Sequence, residues 1–191
     1  MLLVVRCFFS SILVLSNTNF NIYGLSLPTN LPFPKIKLIA FGTNNGISCY
    51  DGKVFTQFTD KNNLPFKQVA SLFEDREGNI WIGSWAKQSG GKGLCRYDGK
   101  SLTDFITPYF VMYMCEDKKG NLWLAHNKGA DNVNFALYSY DRKTFTKIIE
   151  QHKPDNPLIF GIIEDVKGNI WFGTTKGVCR YDGKDFNYFT E

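Results

Sequence analysis

Three adjacent acid pairs are the residues best suited to chemistry: Glu74-Asp75, Glu116-Asp117 and Glu164-Asp165. Paired carboxylates could share a proton in general acid–base work or hold a divalent cation. Neighbouring residues on a strand point to opposite faces, however, so one such pair cannot converge on one substrate. The pairs also sit in matching surroundings: E-D-R-E-G-N-I-W at 74–81, E-D-K-K-G-N-L-W at 116–123 and E-D-V-K-G-N-I-W at 164–171. Three equivalent copies ask for a repeated structural job, and turn formation is that job. The two histidines, His126 and His152, have no Gly-x-Ser-x-Gly elbow beside them to suggest an activated nucleophile. Ser89-Gly90-Gly91-Lys92-Gly93 looks like a phosphate-cradling loop but lacks the Gly-Lys-Ser/Thr ending. The reading is therefore no catalytic residue, no metal site and no cofactor.

The elements that position these residues follow from the repeat. Each copy opens with an apolar run (69–75, 111–117, 159–165), apolar on both faces as an inner strand covered on both sides must be. Asp-x-x-Gly then forms a tight turn whose glycine takes a positive φ, and a second strand carries Trp81, Trp123 or Trp171 as its anchor. A third strand ends in Tyr97-Asp98, Tyr140-Asp141 or Tyr181-Asp182, where Asp98-Gly99 and Asp182-Gly183 signal a two-residue hairpin into an outer strand. Repeat three departs, with Asp141-Arg142 at the hairpin and Ala125 where the others have glycine. A fourth, incomplete copy is marked by 41–59, which matches 172–190, and Ala40 just before it stands where the others have tryptophan. A period of roughly 40–50 residues with this content means one four-stranded sheet per repeat, stacked as propeller blades. The expected fold is all-β, with a partial blade at 36–59 and blades at 66–107, 109–150 and 158–191.

The order of an apolar strand, E-D-x-x-G-N-I-W-I-G-T/S, then G-L/V-x-R-Y-D-G-K and an aromatic outer strand resembles the two-component regulator propeller repeat. The resemblance spans about residues 36–191. It implies a β-propeller of the kind found in the extracytoplasmic sensor half of bacterial hybrid histidine kinases, which usually continue into an immunoglobulin-like domain, a membrane helix and a kinase. No kinase segment is present in these 191 residues, so kinase activity is not carried over. Members usually close with about seven blades, so three full copies and a partial one would form an open arc rather than a ring. Such an arc exposes apolar end faces, which implies further blades or self-association as partners.

Composition narrows the function classes. Aromatics make up 16% of the chain and charged residues 21%, which fits a packed β protein and not a disordered one. The net charge of +4 is spread among acids along the chain, without the basic stripe that nucleic-acid binding requires. Residues 1–16 carry Arg6 and a short apolar run, too short to span a bilayer comfortably and suited to an export signal, with a second cleavage point near 24. The membrane would be involved only if this segment stayed uncleaved. Residues 17–35 read as a leader. The expected location is periplasmic or extracellular. Of the five cysteines, Cys95 and Cys179 occupy equivalent positions in different repeats, Cys49 lies one residue later, and Cys115 aligns with apolar Phe73 and Ile163. That pattern favours small buried hydrophobes over a disulfide framework.

The irregular parts carry the functional signal. In a four-stranded meander the tight turns lie at one end of the blade, and the strand-two-to-three loops and blade connections lie at the other. The long stretches 84–93, 126–135, 59–66 and 150–157 all belong to the second end. Insertions gathered on one face of a repeat protein mark a binding rim. That rim carries Trp85, Lys87, Lys92, His126, Lys128, Asp131, His152 and Lys153, an aromatic with mixed polar donors that suits a small polar or glycan ligand. A recognition or sensor module is the leading function. A structural or protein-interaction propeller is the alternative, and a histidine–metal lyase of propeller form is a third class.

Overall fold

A computed structural model of the chain describes residues 6–7, 10–14, 39–59, 64–84, 92–106, 110–127, 135–151 and 159–189. These residues form strands and turns, with no helix among them. The chain divides into two compact units, Met1–Pro108 and Tyr109–Glu191.

The first unit contains two sheets. One comprises β1 (Arg6–Cys7), β2 (Ser10–Val14), β3 (Ile39–Thr43), β4 (Gly46–Tyr50) and β5 (Phe55–Phe58) in sequence order. The other comprises β6 (Val69–Glu74), β7 (Ile80–Ser84), β8 (Lys92–Tyr97) and β9 (Leu102–Ile106). The second unit repeats the plan, with β10 (Phe110–Glu116), β11 (Leu122–Asn127), β12 (Phe135–Tyr140) and β13 (Phe145–Gln151) in one sheet. Its other sheet is β14 (Ile159–Glu164), β15 (Ile170–Thr174), β16 (Gly177–Tyr181) and β17 (Phe186–Phe189). Every pairing is antiparallel between chain neighbours, the meander expected of a propeller blade.

The first sheet differs from the sequence reading. The sequence sets residues 1–16 apart from the blades and leaves 36–59 a partial blade. Here Ser10–Val14 pairs with Ile39–Thr43 through Ile12↔Phe41, Leu13↔Ala40 and Val14↔Ile39. β2 thus takes the place that β10 holds in its own sheet: β6 packs against β2 and β3 as β14 packs against β10 and β11. The physical reason is the open edge of β3, whose backbone groups require partners. The leader at 17–35 lies outside the described residues.

Sheet-on-sheet packing follows one rule in both units. Each sheet has a tryptophan-side face and an opposite face. In the second unit, Trp123, Ala125 and Leu137 from the tryptophan side of β10–β13 meet Ile162, Ile170, Phe172 and Cys179 of β14–β17 in one core. In the first unit, Ala40, Ile47 and Cys49 occupy the tryptophan-side positions and meet Leu72, Ile80, Ile82 and Cys95. At Gly42 the approach is tight enough that an added Cβ would lie 2.8 Å from Val69 Cγ1. Cys49, Cys95, Cys115 and Cys179 are all free thiols, and burial pushes Cys49 up to about 12 and Cys179 to about 11.

Candidate functional site

The acid pairs resolve into a structural hub repeated three times. Asp75 Oδ1 accepts the Glu77 and Asn79 backbone N–H groups at 3.1 and 2.9 Å, while Oδ2 accepts the Trp81 indole N–H at 2.8 Å. Asp117 does the same for Lys119, Asn121 and Trp123, each at 2.9 Å. Asp165 repeats it with Lys167 at 2.8 Å, Asn169 at 2.9 Å and Trp171 at 2.8 Å. The motif's asparagine adds its amide N–H to the same carboxylate in every copy. The glycines close these turns at φ 83°, 87° and 89° for Gly78, Gly120 and Gly168. One carboxylate thus ties the turn to the anchor of the next strand.

Electrostatics agree with that role. Burial pushes the Asp117 carboxyl up, but the Trp123 and Asn121 side-chain bonds and two backbone N–H groups outweigh it and hold the group below its ordinary range. The Trp171 indole and the Asn169 amide, ahead of burial, hold Asp165 well below that range. Both are fixed anions, unsuited to passing protons near neutral pH. The glutamates go elsewhere. Glu116 Oε1 receives the Arg142 guanidinium at 2.5 Å, and Glu164 Oε2 accepts the Lys118 backbone N–H at 2.9 Å.

The second turn of each sheet sits one residue later than the Asp-Gly reading placed it. Asp98 N–H donates to Ser101 O at 3.2 Å, so Gly99 and Lys100 are the central residues, with Gly99 at φ 90°. Arg142 holds the equivalent place at φ 74°, a conformation disfavoured for a residue with a Cβ. Its guanidinium bonds to Gly120 O at 2.9 Å and to Glu116, and these contacts join the two tight turns of one sheet.

These turns occupy one end of every sheet, because Ile80 faces Tyr97, Leu122 faces Tyr140 and Ile170 faces Tyr181 across the second and third strands. At the opposite end the sheets differ. Asn44-Asn45 and Thr175-Lys176 make two-residue turns there, whereas residues 85–91 and 128–134 separate the corresponding strands in the other two sheets. Of the rim residues read from sequence, Trp85, Lys87, Lys128, Asp131, His152 and Lys153 lie outside the described residues. Lys92 opens β8, with its side chain also outside them. His126 is placed, and it is not an exposed loop residue: it is 3% exposed near the end of β11, with its ring 4.7 Å from that of Tyr138. Burial lowers its pKa to about 4, so it is a neutral interior imidazole. Among the described residues no group of three His, Cys, Asp or Glu is arranged to hold a metal ion.

The Asp-to-Trp hydrogen bond escaped the sequence reading, which assigned aspartate to the turn and tryptophan to packing separately. The invariable pairing of Asp with Trp six residues later in all three copies was the available signal.

Comparison with known proteins adds a family and a fold. The chain matches the two component regulator propeller family at residues 63–86, 106–128 and 153–176. Among solved structures it is similar to the extracellular domain of BT4673 from B. thetaiotaomicron, described as a hybrid two component system, at 20% identity and a TM-score of 0.64. That alignment covers 81% of this chain and 21% of the other, so the chain spans about a fifth of that relative's length. The gluconolactonase XC5397 from Xanthomonas campestris aligns at 15% identity and a TM-score of 0.55, covering 80% of this chain and 59% of that one. PorZ, a surface component of the type-IX secretion system of Porphyromonas gingivalis, aligns at 15% identity and a TM-score of 0.55, covering 83% and 26%. A search of curated proteins found no match. At these identities the structural likeness speaks for the propeller fold, while the three matched segments coincide with the Asp–Trp hubs and the strands around them: the chain carries three repeats of the two component regulator propeller family.

Proposed function

We propose that this chain is an exported, non-enzymatic recognition propeller serving signal reception in a two-component-type system. The observation that supports it is the contrast between the two ends of the sheets. One end is held uniform by Asp–Trp hubs and tight turns, while the other varies at 85–91 and 128–134 and carries Trp85, Lys87, Lys128 and Asp131. Variable loops on a fixed scaffold are where ligand specificity is placed. Trp85 and Lys87 in one loop, and Lys128 and Asp131 in the other, are side chains of the kinds that recognise carbohydrate. Residues 1–16 (or to 24) serve as the export signal in this reading. Cleavage there would remove β2, so a cleaved chain and a first sheet completed by Ser10–Val14 exclude each other in one molecule.

The test is a titration of the purified protein against a panel of neutral and acidic oligosaccharides, followed by tryptophan fluorescence and calorimetry. Saturable binding to one class, weakened at least tenfold by Trp85→Ala with unchanged melting, is expected. Binding to none of the panel, or binding indifferent to Trp85, contradicts the reading. An assay for gluconolactone hydrolysis runs alongside it, and turnover above background would transfer the chain to the enzyme class.

A further inference from the structure

We infer that Asn45 is a site of spontaneous covalent modification: Gly46 N attacks its side-chain amide when the Gly46–Lys67 hydrogen bond opens, and the residue becomes aspartate or isoaspartate. Asn45-Gly46 is the one Asn-Gly pair among the 191 residues, and glycine, with no Cβ, leaves the attack least hindered. The pair sits at the two-residue turn between β3 and β4, where Asn45 is exposed. Its N–H donates to Thr43 Oγ1 at 3.1 Å, and the Thr43 hydroxyl donates to Gly46 O at 3.0 Å. The last sheet builds the same turn from Thr174, Thr175, Lys176 and Gly177, with the matching bonds at 3.2 and 3.0 Å. A lysine serves there, so the geometry of the turn does not call for asparagine.

The step balances with water alone. The Gly46 N–Cγ bond forms, the Cγ–Nδ2 bond breaks, and the Gly46 proton leaves with the amide nitrogen as ammonia. Water then opens the cyclic imide on either side, giving aspartate or isoaspartate. The fold sets the rate, because Gly46 N–H is held by Lys67 O at 2.6 Å until the connection carrying Lys67 moves away. Local openings of this kind cost less than global unfolding. Three Asp-Gly pairs, at Asp51, Asp98 and Asp182, could form the same imide by losing water. In each of them, however, Oδ1 accepts two backbone N–H groups. Those bonds hold the three carboxyls below their ordinary range, and an ionised carboxylate resists the attack. Asn45 is therefore the residue that reacts. Either product places a carboxylate at the end of the first sheet away from the Asp51-Gly52 turn. Isoaspartate also adds a main-chain methylene between Thr43 and Gly46, which are paired directly.

The test ages the purified full chain at mildly alkaline pH, with and without urea, and maps it by peptide mass and isoaspartate-specific methyl transfer. The folded chain should gain aspartate and isoaspartate at residue 45 ahead of every other position. It should do so about tenfold or more slowly than the chain in urea. Asn45→Lys, which copies the turn of the last sheet, should melt with the parent and form no isoaspartate there. If that variant melts early, Asn45→Gln takes its place, since its amide would have to close a larger and slower ring. A residue 45 still intact in the folded chain once the chain in urea has converted overturns the inference. Isoaspartate arising first at Asp51, Asp98 or Asp182 overturns it too. Equal rates with and without urea would overturn the gating by the Gly46–Lys67 bond.

Discussion

At the scale of the residue, aspartate and tryptophan act as one device. The Asp75, Asp117 and Asp165 carboxylates each bind two backbone N–H groups, an amide and an indole, and hydrogen bonds to a charged acceptor contribute about 1.5–3 kcal/mol each. Trp81→Phe keeps an aromatic ring beside Phe105 but removes the donor from a buried carboxylate. Denaturant titration should show a loss of about 1–3 kcal/mol, and no loss would mean the indole bond is dispensable. His126 makes a second residue-scale prediction. Its native pKa of about 4 lies below its ordinary 6.5, so the unfolded chain takes up a proton first as pH falls. Stability should therefore drop between pH 6.5 and 4 by about 1.4 kcal/mol per unit, and His126→Leu should flatten that window. Equal pH slopes in the two proteins would place His126 in water. Sequence reading put His126 on a rim because it stands where an irregular stretch begins. β11 runs on to Asn127, and that extra pairing carries the imidazole inside.

At the scale of the element, most strands were legible because period-two burial, turn residues and the repeat point the same way. The strand after each Asp-x-x-Gly turn lies where the repeat places it, at Ile80–Ser84 and Ile170–Thr174 around the anchoring tryptophan. The second turns were legible in kind but displaced by one residue, because Asp98 serves as a side-chain acceptor for Lys100 and Ser101 and leaves the turn's centre to Gly99. The first sheet was not legible. An apolar run such as Ser10–Val14 satisfies an export signal and a buried strand equally well, and only the unpaired edge of β3 distinguishes them. Removing residues 1–24 should therefore lower the melting temperature and speed amide exchange at Ile39–Thr43. A truncated protein with the same melting curve and the same protection there would show that β2 adds nothing to the sheet.

At the scale of the whole molecule, repetition separates what holds the fold from what performs the function. The repeated acids, tryptophans and tight turns hold the fold, and the proposed function assigns recognition to the non-repeating connections. The structural half of that division was legible from spacing alone, although a ligand was not, because strand spacing does not say where loop side chains come to lie. The most direct test shortens the two long connections to the turn that the last sheet already uses. Register sets Ser84 and Gly93 against Thr174 and Gly177, and His126 and Ala136 against the same pair. Residues 85–92 and 127–135 are accordingly each replaced by Thr-Lys. The variant is then melted and titrated against the same oligosaccharide panel as the parent. A melting temperature within a few degrees of the parent, with binding abolished, is the predicted result. Retained binding, or collapse of the fold, would contradict a uniform scaffold carrying a separable recognition end.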